Sequence, residues 1–233
     1  ILYACEAGSR AWGFSSPDLD YDVRVIYAPP LPWYLRLDEG PDTLNLPVDK
    51  ELDVSGWELR KALRLLRGSN AALFEWLQSP IVYHEAAGFR AQLAPLLPVA
   101  FNLKAGLHHY LSQLRRGVEE DLPSEEVRLK RLFYALRSAL AARWIRERRT
   151  LPPMAFAPLG ELLPVDLQVT VDELLGQKAV ATEKTLVVRP VALVAFLMEE
   201  YAAGQAVREA LPITRPAGLG EALDELLRAW IPQ

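Results

Sequence analysis

The sequence has one cysteine, Cys5, and three histidines. A lone cysteine cannot close an internal disulfide, so the chain is expected to work in a reducing compartment, the cytoplasm. Cys5 sits in the apolar stretch "ILYAC" with no histidine near it in sequence, which makes it a core thiol rather than a nucleophile. His108 and His109 are neighbours on a helical segment. Their side chains diverge by about 100°, so they do not share one metal, and zinc chemistry is set aside. An excess of one charge is also missing: 26 basic against 30 acidic residues leave a net charge of −4. That excludes a general attraction to nucleic acid and leaves only local basic patches. No apolar run reaches the roughly 18 residues of a membrane span, and no secretory leader is visible. The chain opens at Ile1 without a methionine, directly in a strand-like pattern, so a segment before it is expected.

What is there is a chain of 233 residues, 51% of them apolar, enough for one large domain or two small ones. The composition changes near Leu97. Before it, short apolar runs alternate with Gly/Pro-rich turns; after it, helical periodicity dominates. The expected fold is α+β: a small mixed sheet with flanking helices over residues 1–97, then a helical domain over 98–233. "ILYAC" and "YDVRVIY" read as strands, and "DKELDV" (49–54) as a third. A helix is expected from "SGWELRKALRLLRG", started by an S-x-x-E capping box at Ser55 and Glu58 and stopped at Gly68. "SNAALFEWLQSP" reads as a second helix, capped by Ser69 or Asn70. Later helices are expected over about 103–116, 125–149, 171–175, 190–210 and 219–230. Trp57 and Trp76 read as core anchors of the first domain.

The stretch "GSRAWGFSSPDLDYDVRVIY" concentrates the chemistry. On a strand, residues two apart point the same way, so Asp20 and Asp22 project side by side. Two carboxylates without a cation repel. Replacing either by asparagine is therefore expected to raise metal-free stability slightly. A divalent Mg²⁺ or Mn²⁺ removes the repulsion, takes oxygen ligands and keeps positions open for phosphates. Two such ions about 3.5–4 Å apart suit an in-line phosphoryl displacement. Gly8 lets backbone approach a ligand closely. The N–H groups around Gly8 and Ser9, with the Ser9 hydroxyl, can cradle phosphate oxygens, and Arg10 adds a charged fork. A phosphate loop leading into a metal-binding strand suits a nucleoside triphosphate. For a third carboxylate, Asp49, Glu51 and Asp53 alternate on the next strand. The capping box at Ser55 leaves Asp53 free, so Asp53 is the expected ligand and Glu51 a flanking surface residue. Asp53→Asn is then expected to leave the metal-free melting temperature nearly unchanged.

The Gly-Ser pair, the short spacer and D-x-D on a strand resemble the DNA polymerase β-like nucleotidyltransferase superfamily. The fuller text, "GSRAWGF", "SPDLDYDVRVIY", "DVSGWELRKALRLL", "SNAALFEWLQSPIVY", "LHHYL" and "VRLKRLFYALRSALAARWI", is similar to nucleotidyltransferases of the RlaP type from about Ile1 to Pro153. The resemblance implies a palm domain and metal-dependent transfer of a nucleoside monophosphate from a triphosphate, with a link to RNA repair and RNA as a possible acceptor. It implies that Gly8 and Ser9 bind the triphosphate and that Asp20 and Asp22, with a third carboxylate, hold the metals. Lys130, Tyr134 and Arg137 fall at i, i+4 and i+7, one face of the long helix. A solvated basic face is the default for such a run, and the resemblance adds a nucleotide-binding role for the three. Arg146 to Arg149 read as a helix C-terminus, with an RNA backbone as a second use. Two other functions stay open: a nucleotide or RNA sensor on the same fold, and a phosphodiester or nucleotide hydrolase using the same metals.

Overall fold

A computed structural model describes residues 1–17, 20–47, 52–182, 184–213 and 216–232. The first stretch of chain forms β1 (Tyr3–Glu6), α1 (Gly8–Trp12), β2 (Tyr21–Tyr27), α2 (Leu31–Tyr34), β3 (Thr43–Asn45) and β4 (Leu52–Glu58). Next come α3 (Leu59–Arg67), α4 (Ala71–Gln78), β5 (Val82–Glu85), α5 (Phe89–Leu93) and α6 (Leu97–Ala100). The rest is helical apart from two short strands: α7 (Leu103–Arg116), β6 (Glu126–Arg128), α8 (Leu129–Arg148), α9 (Phe156–Gly160), α10 (Val165–Lys178), β7 (Leu186–Val188), α11 (Val191–Arg208) and α12 (Leu219–Trp230). The fold is α+β, as the composition implies. Among the described residues no helix is long and apolar enough to cross a membrane.

The chain divides into two compact units. The first comprises Ile1–Ala11, Asp20–Phe101 and Thr214–Gln233, so the last helix, α12, belongs with the sheet. The second comprises Trp12–Leu19 and Asn102–Ile213.

In the first unit a five-stranded mixed sheet runs in the order β3-β4-β2-β1-β5. All four residues of β1 are buried. β2 and β4 are the one parallel pair in this sheet; β1–β2, β1–β5 and β3–β4 are antiparallel. A parallel pair needs a crossover, which α2 and β3 supply. The β2–β4 register aligns Tyr21 with Leu52, Asp22 with Asp53, and so on to Tyr27 with Glu58. That pairing overturns the expected capping box: Ser55 to Glu58 lie in β4. The ladder to β2 runs through this segment, and the side chain of Trp57 stacks on Trp76 with ring centroids 3.8 Å apart. The N-cap of α3 is Glu58, whose carboxylate accepts from the backbone N–H of Arg60 and Lys61 at 2.7 and 3.1 Å. The expected cap of α4 at Asn70 is present, its Oδ1 accepting from Leu73 N.

In the second unit α8 packs against α7 and α11. Phe14, Phe133 and Phe156 form a ring cluster beside it, with centroids 5.3 to 5.9 Å apart. The long helix starts later than its periodicity suggests. Glu126–Arg128 is extended because it pairs antiparallel with Leu186–Val188, Val127 facing Val187. The expected helix over 171–175 is the middle of the longer α10.

Candidate active site

Parallel pairing of β2 and β4 places Asp22 and Asp53 at facing positions. Arg24 is two residues on from Asp22, so it projects from the same side of the strand. Its Nη2 donates to Asp22 Oδ1 at 2.9 Å and to Asp53 Oδ2 at 2.8 Å. Its Nη1 donates to the carbonyls of Val23 and Asp53, both at 3.1 Å. The guanidinium is thus gripped by four acceptors and bridges the two carboxylates. For Asp22 this corrects the expectation of unbalanced repulsion, since its carboxylate already has a cation. Asp22 and Asp53 already share a cation, so removing either charge leaves Arg24 half paired instead of relieving strain. Asp20 is exposed, one residue before β2 begins. Among the described residues no three His, Cys, Asp or Glu side chains gather into a metal-binding group. Asp18, Asp49 and Glu51 lie outside the described residues, and with them the expected surface role of Glu51.

The two residues that lead into the Gly-Ser turn are tied to Asp22 from the other side. Ala7 N donates to Asp22 O at 2.8 Å, and Asp22 N donates to Glu6 Oε1 at 3.2 Å. Gly8 has φ +62°, in the left-handed region, and a Cβ added there would overlap Asp22 Oδ2. Glycine at this position is what lets the turn approach the carboxylate. Ser9 is buried in the first turn of α1. The Arg10 guanidinium stacks on Tyr21, 4.3 Å from the ring centroid. Arg10 Nε lies 3.4 Å from Glu6 Oε1, an ion-pair distance, but makes no hydrogen bond.

Glu6 is the residue that sequence reasoning misses. It is fully buried and receives the Asp22 amide, the Arg10 charge and the hydroxyl of Tyr83, which donates to Oε2 at 2.5 Å. The available signal is an acid closing a strand whose other residues are apolar, immediately before the Gly-Ser pair. Burial first, then the bond to Glu6, pushes the Tyr83 phenol up to about 12. Glu6→Gln is therefore expected to move the Tyr83 titration downward, toward the ordinary phenol value, in an ultraviolet pH titration. The sign for stability follows from linkage. A raised folded-state value means the bond stabilises fully below the unfolded phenol's value, and the contribution is lost as pH rises through about 12. A Tyr83 titration that does not move in Glu6→Gln would break this assignment.

Lys130, Tyr134 and Arg137 lie in the second unit, on α8. Arg137 is 2% exposed. Its Nε and Nη2 both donate to Met154 O, at 3.1 and 2.9 Å, and its guanidinium lies 4.3 Å over the Trp12 ring. Tyr134 meets Trp12 edge-on at 5.0 Å, and Lys130 Nζ is 5.8 Å from the Tyr134 ring centre. The three side chains and Trp12 form one run of contacts, and Trp12, Tyr134 and Arg137 line a cavity of about 190 Å³ that Arg116 and Arg131 also border. At the other end of α8, Arg143 and Arg146 are engaged by Glu200 at 3.3 and 2.7 Å. His109 pairs with Gln113, at 3.0 Å. The Cys5 thiol is buried and pushed up to about 12, chiefly by desolvation, which makes it unreactive at neutral pH.

In kind, Asp22 and Asp53 fit a hard divalent cation: both offer carboxylate oxygen, and they come from facing positions on adjacent strands. The pair fits; the trio with Asp20 is not assembled among the described residues. The family model described as RlaP, RNA repair pathway DNA polymerase beta family, matches residues 1–229. The chain is also 45% identical, over 191 residues, to "Uncharacterized protein YcgL" of Bacillus subtilis (strain 168), covering 81% of this chain and 74% of that protein.

Proposed function

The chain belongs to the RNA repair pathway DNA polymerase beta family, a polymerase β-like nucleotidyltransferase family, and from that premise we propose that it moves a nucleoside monophosphate from a nucleoside triphosphate to an acceptor hydroxyl, with RNA as the acceptor. The acceptor oxygen forms a bond to the α-phosphorus as the bond to the β-phosphate oxygen breaks. Pyrophosphate leaves, and the hydroxyl proton passes to solvent. The observation that supports this best is the double tie of Ala7 and Glu6, the residues leading into the Gly8–Ser9 turn, to Asp22, which is paired with Asp53 across a parallel ladder. A triphosphate held by the turn then has carboxylates at its side. Asp22 and Asp53, with Asp20, would hold Mg²⁺ or Mn²⁺, which when bound screens phosphate charge and acidifies the acceptor hydroxyl. Gly8 and Ser9 take the triphosphate tail, with Arg10 beside them; Lys130, Tyr134 and Arg137 are assigned to the nucleotide. Most of the rate gain comes from positioning and charge stabilisation. The single, buried Cys5 suits a reducing, cytoplasmic setting.

The test is a screen of α-labelled triphosphates with Mg²⁺ or Mn²⁺ against RNA, tRNA, protein and small alcohols. Label transferred to RNA is the expected result. Release of free monophosphate instead would make the protein a hydrolase, and bound label without turnover would make it a sensor. Ser9→Ala supplies a second check. It removes one hydrogen bond to a charged group, worth roughly 1.5–3 kcal/mol. Triphosphate affinity should fall about tenfold to a hundredfold, and monophosphate affinity by less. Equal losses for both would place Ser9 away from the phosphate tail.

A further inference from the structure

Several of the described basic side chains are engaged by carboxylates. Arg24 is shared by Asp22 and Asp53, Arg90 pairs with Glu85, and Arg143 and Arg146 pair with Glu200. The face of α3 is different. Arg60, Arg64 and Arg67 recur at i, i+4 and i+7, so they form one row along the helix. Arg60 and Arg67 make no ion pair with any described residue, and Arg64 reaches only the exposed Glu39, at 3.9 Å. Arg60 instead lies over the Tyr34 ring, 4.9 Å from its centre. The three guanidinium groups wall a groove of about 270 Å³ between α3 and α12. Its floor includes the buried Leu63 and Leu223, and its one acid is Asp224. No aromatic side chain lines it.

We infer that this groove binds the sugar–phosphate backbone of single-stranded RNA. A row of planar guanidinium forks matches successive phosphate oxygens. Over seven residues the row runs about 10 Å along the helix, long enough to meet consecutive phosphates. The apolar floor suits the ribose face. Without an aromatic platform the groove holds backbone and leaves bases unread, so binding carries little sequence preference. The net charge of −4 makes the groove the attractor, since the protein as a whole repels a polyanion. The inference rests on the reading of RNA as acceptor, but its test is binding, not transfer.

Fluorescence anisotropy with labelled single-stranded RNA, over a range of salt concentrations, tests it on the full chain. Arg64→Gln combined with Arg67→Gln is expected to weaken binding about tenfold or more and to reduce the slope of log affinity against log salt by about 1.4, at about 0.7 per lost phosphate contact. Both side chains are exposed, so the melting temperature should hold. Arg128→Gln with Lys184→Gln, an equal charge change at exposed residues outside the groove, should change little. The groove variant should keep its melting shift with triphosphate and Mg²⁺. Unchanged affinity and slope in the groove variant, an equal loss in the control, a strong base preference, or binding of an acidic peptide in place of RNA would each overturn the inference. So would a wild type that binds no RNA at low salt; a triphosphate-dependent melting shift in that same protein would leave nucleotidyl transfer standing.

Discussion

Asp22→Asn and Asp53→Asn are each expected to cut nucleotidyl transfer by about a thousandfold or more and, without metal, to lower the melting temperature by about 2–4 °C. The first effect follows from the charge each removes where a divalent cation would sit. Metal stabilisation of transferring phosphate is worth several kcal/mol, and about 4 kcal/mol is a thousandfold. The second follows from Arg24. Its Nη2 is held at 2.9 Å by one carboxylate and 2.8 Å by the other. Neutralising either leaves a charge-assisted bond weakened, at a cost of about 1 kcal/mol after allowing for screening, because both carboxylate side chains are 34% exposed. For a chain of this size that is about 2–4 °C. Wild type should gain stability from Mg²⁺ with triphosphate, and the variants should gain little. Scanning fluorimetry and the labelled-nucleotide assay read both parts. Asn variants that melt above wild type without metal would restore simple repulsion between unpaired carboxylates. Wild type and variants that respond alike to Mg²⁺ and triphosphate would remove the metal assignment.

The sign of that stability change shows what the sequence could convey. Strand β2 is legible because its pattern is local, and the spacing of Asp20 and Asp22 is plain in the text. The Arg24 bridge is not legible. It depends on β2 pairing in parallel with β4, some thirty residues on, at a register that sets Asp22 against Asp53. No local pattern encodes that pairing. The same ladder explains why Ser55–Glu58 reads as a capping box and is a strand. S-x-x-E before an apolar run is a sound local signal, but seven ladder positions and the Trp57–Trp76 stack outweigh it. Asp53 faces Asp22 for this long-range reason, and the local argument that singled it out fails. Strands of three residues, such as β3, β6 and β7, are too short to show alternation at all. Glu6 is hidden differently: its type and position are visible, but neither its burial nor its bond from Tyr83, 77 residues on, is written locally.

Gly8→Ala is expected to abolish measurable triphosphate binding, a loss of about a hundredfold or more, and to lower stability as well. Two costs combine. A non-glycine residue at φ +62° carries roughly 1–2 kcal/mol of backbone strain. The new methyl group would also occupy the position of Asp22 Oδ2, with Asp22 Cγ at 3.3 Å. The carboxylate cannot swing away freely, since Oδ1 holds Arg24, and the turn cannot lift freely, since Ala7 N is bonded to Asp22 O. Either adjustment pulls the phosphate turn from the carboxylates. Gly88→Ala separates the two costs. Gly88 has φ +83°, and a Cβ there meets nothing within 4 Å, so its variant carries the strain without the overlap. It should lose a similar stability to backbone strain and keep triphosphate affinity within a few-fold of wild type. Isothermal titration with a non-hydrolysable triphosphate, beside melting curves of both variants, distinguishes them. Equal binding losses would reduce the Gly8 effect to general destabilisation. An unimpaired Gly8→Ala would mean that the turn does not hold the triphosphate.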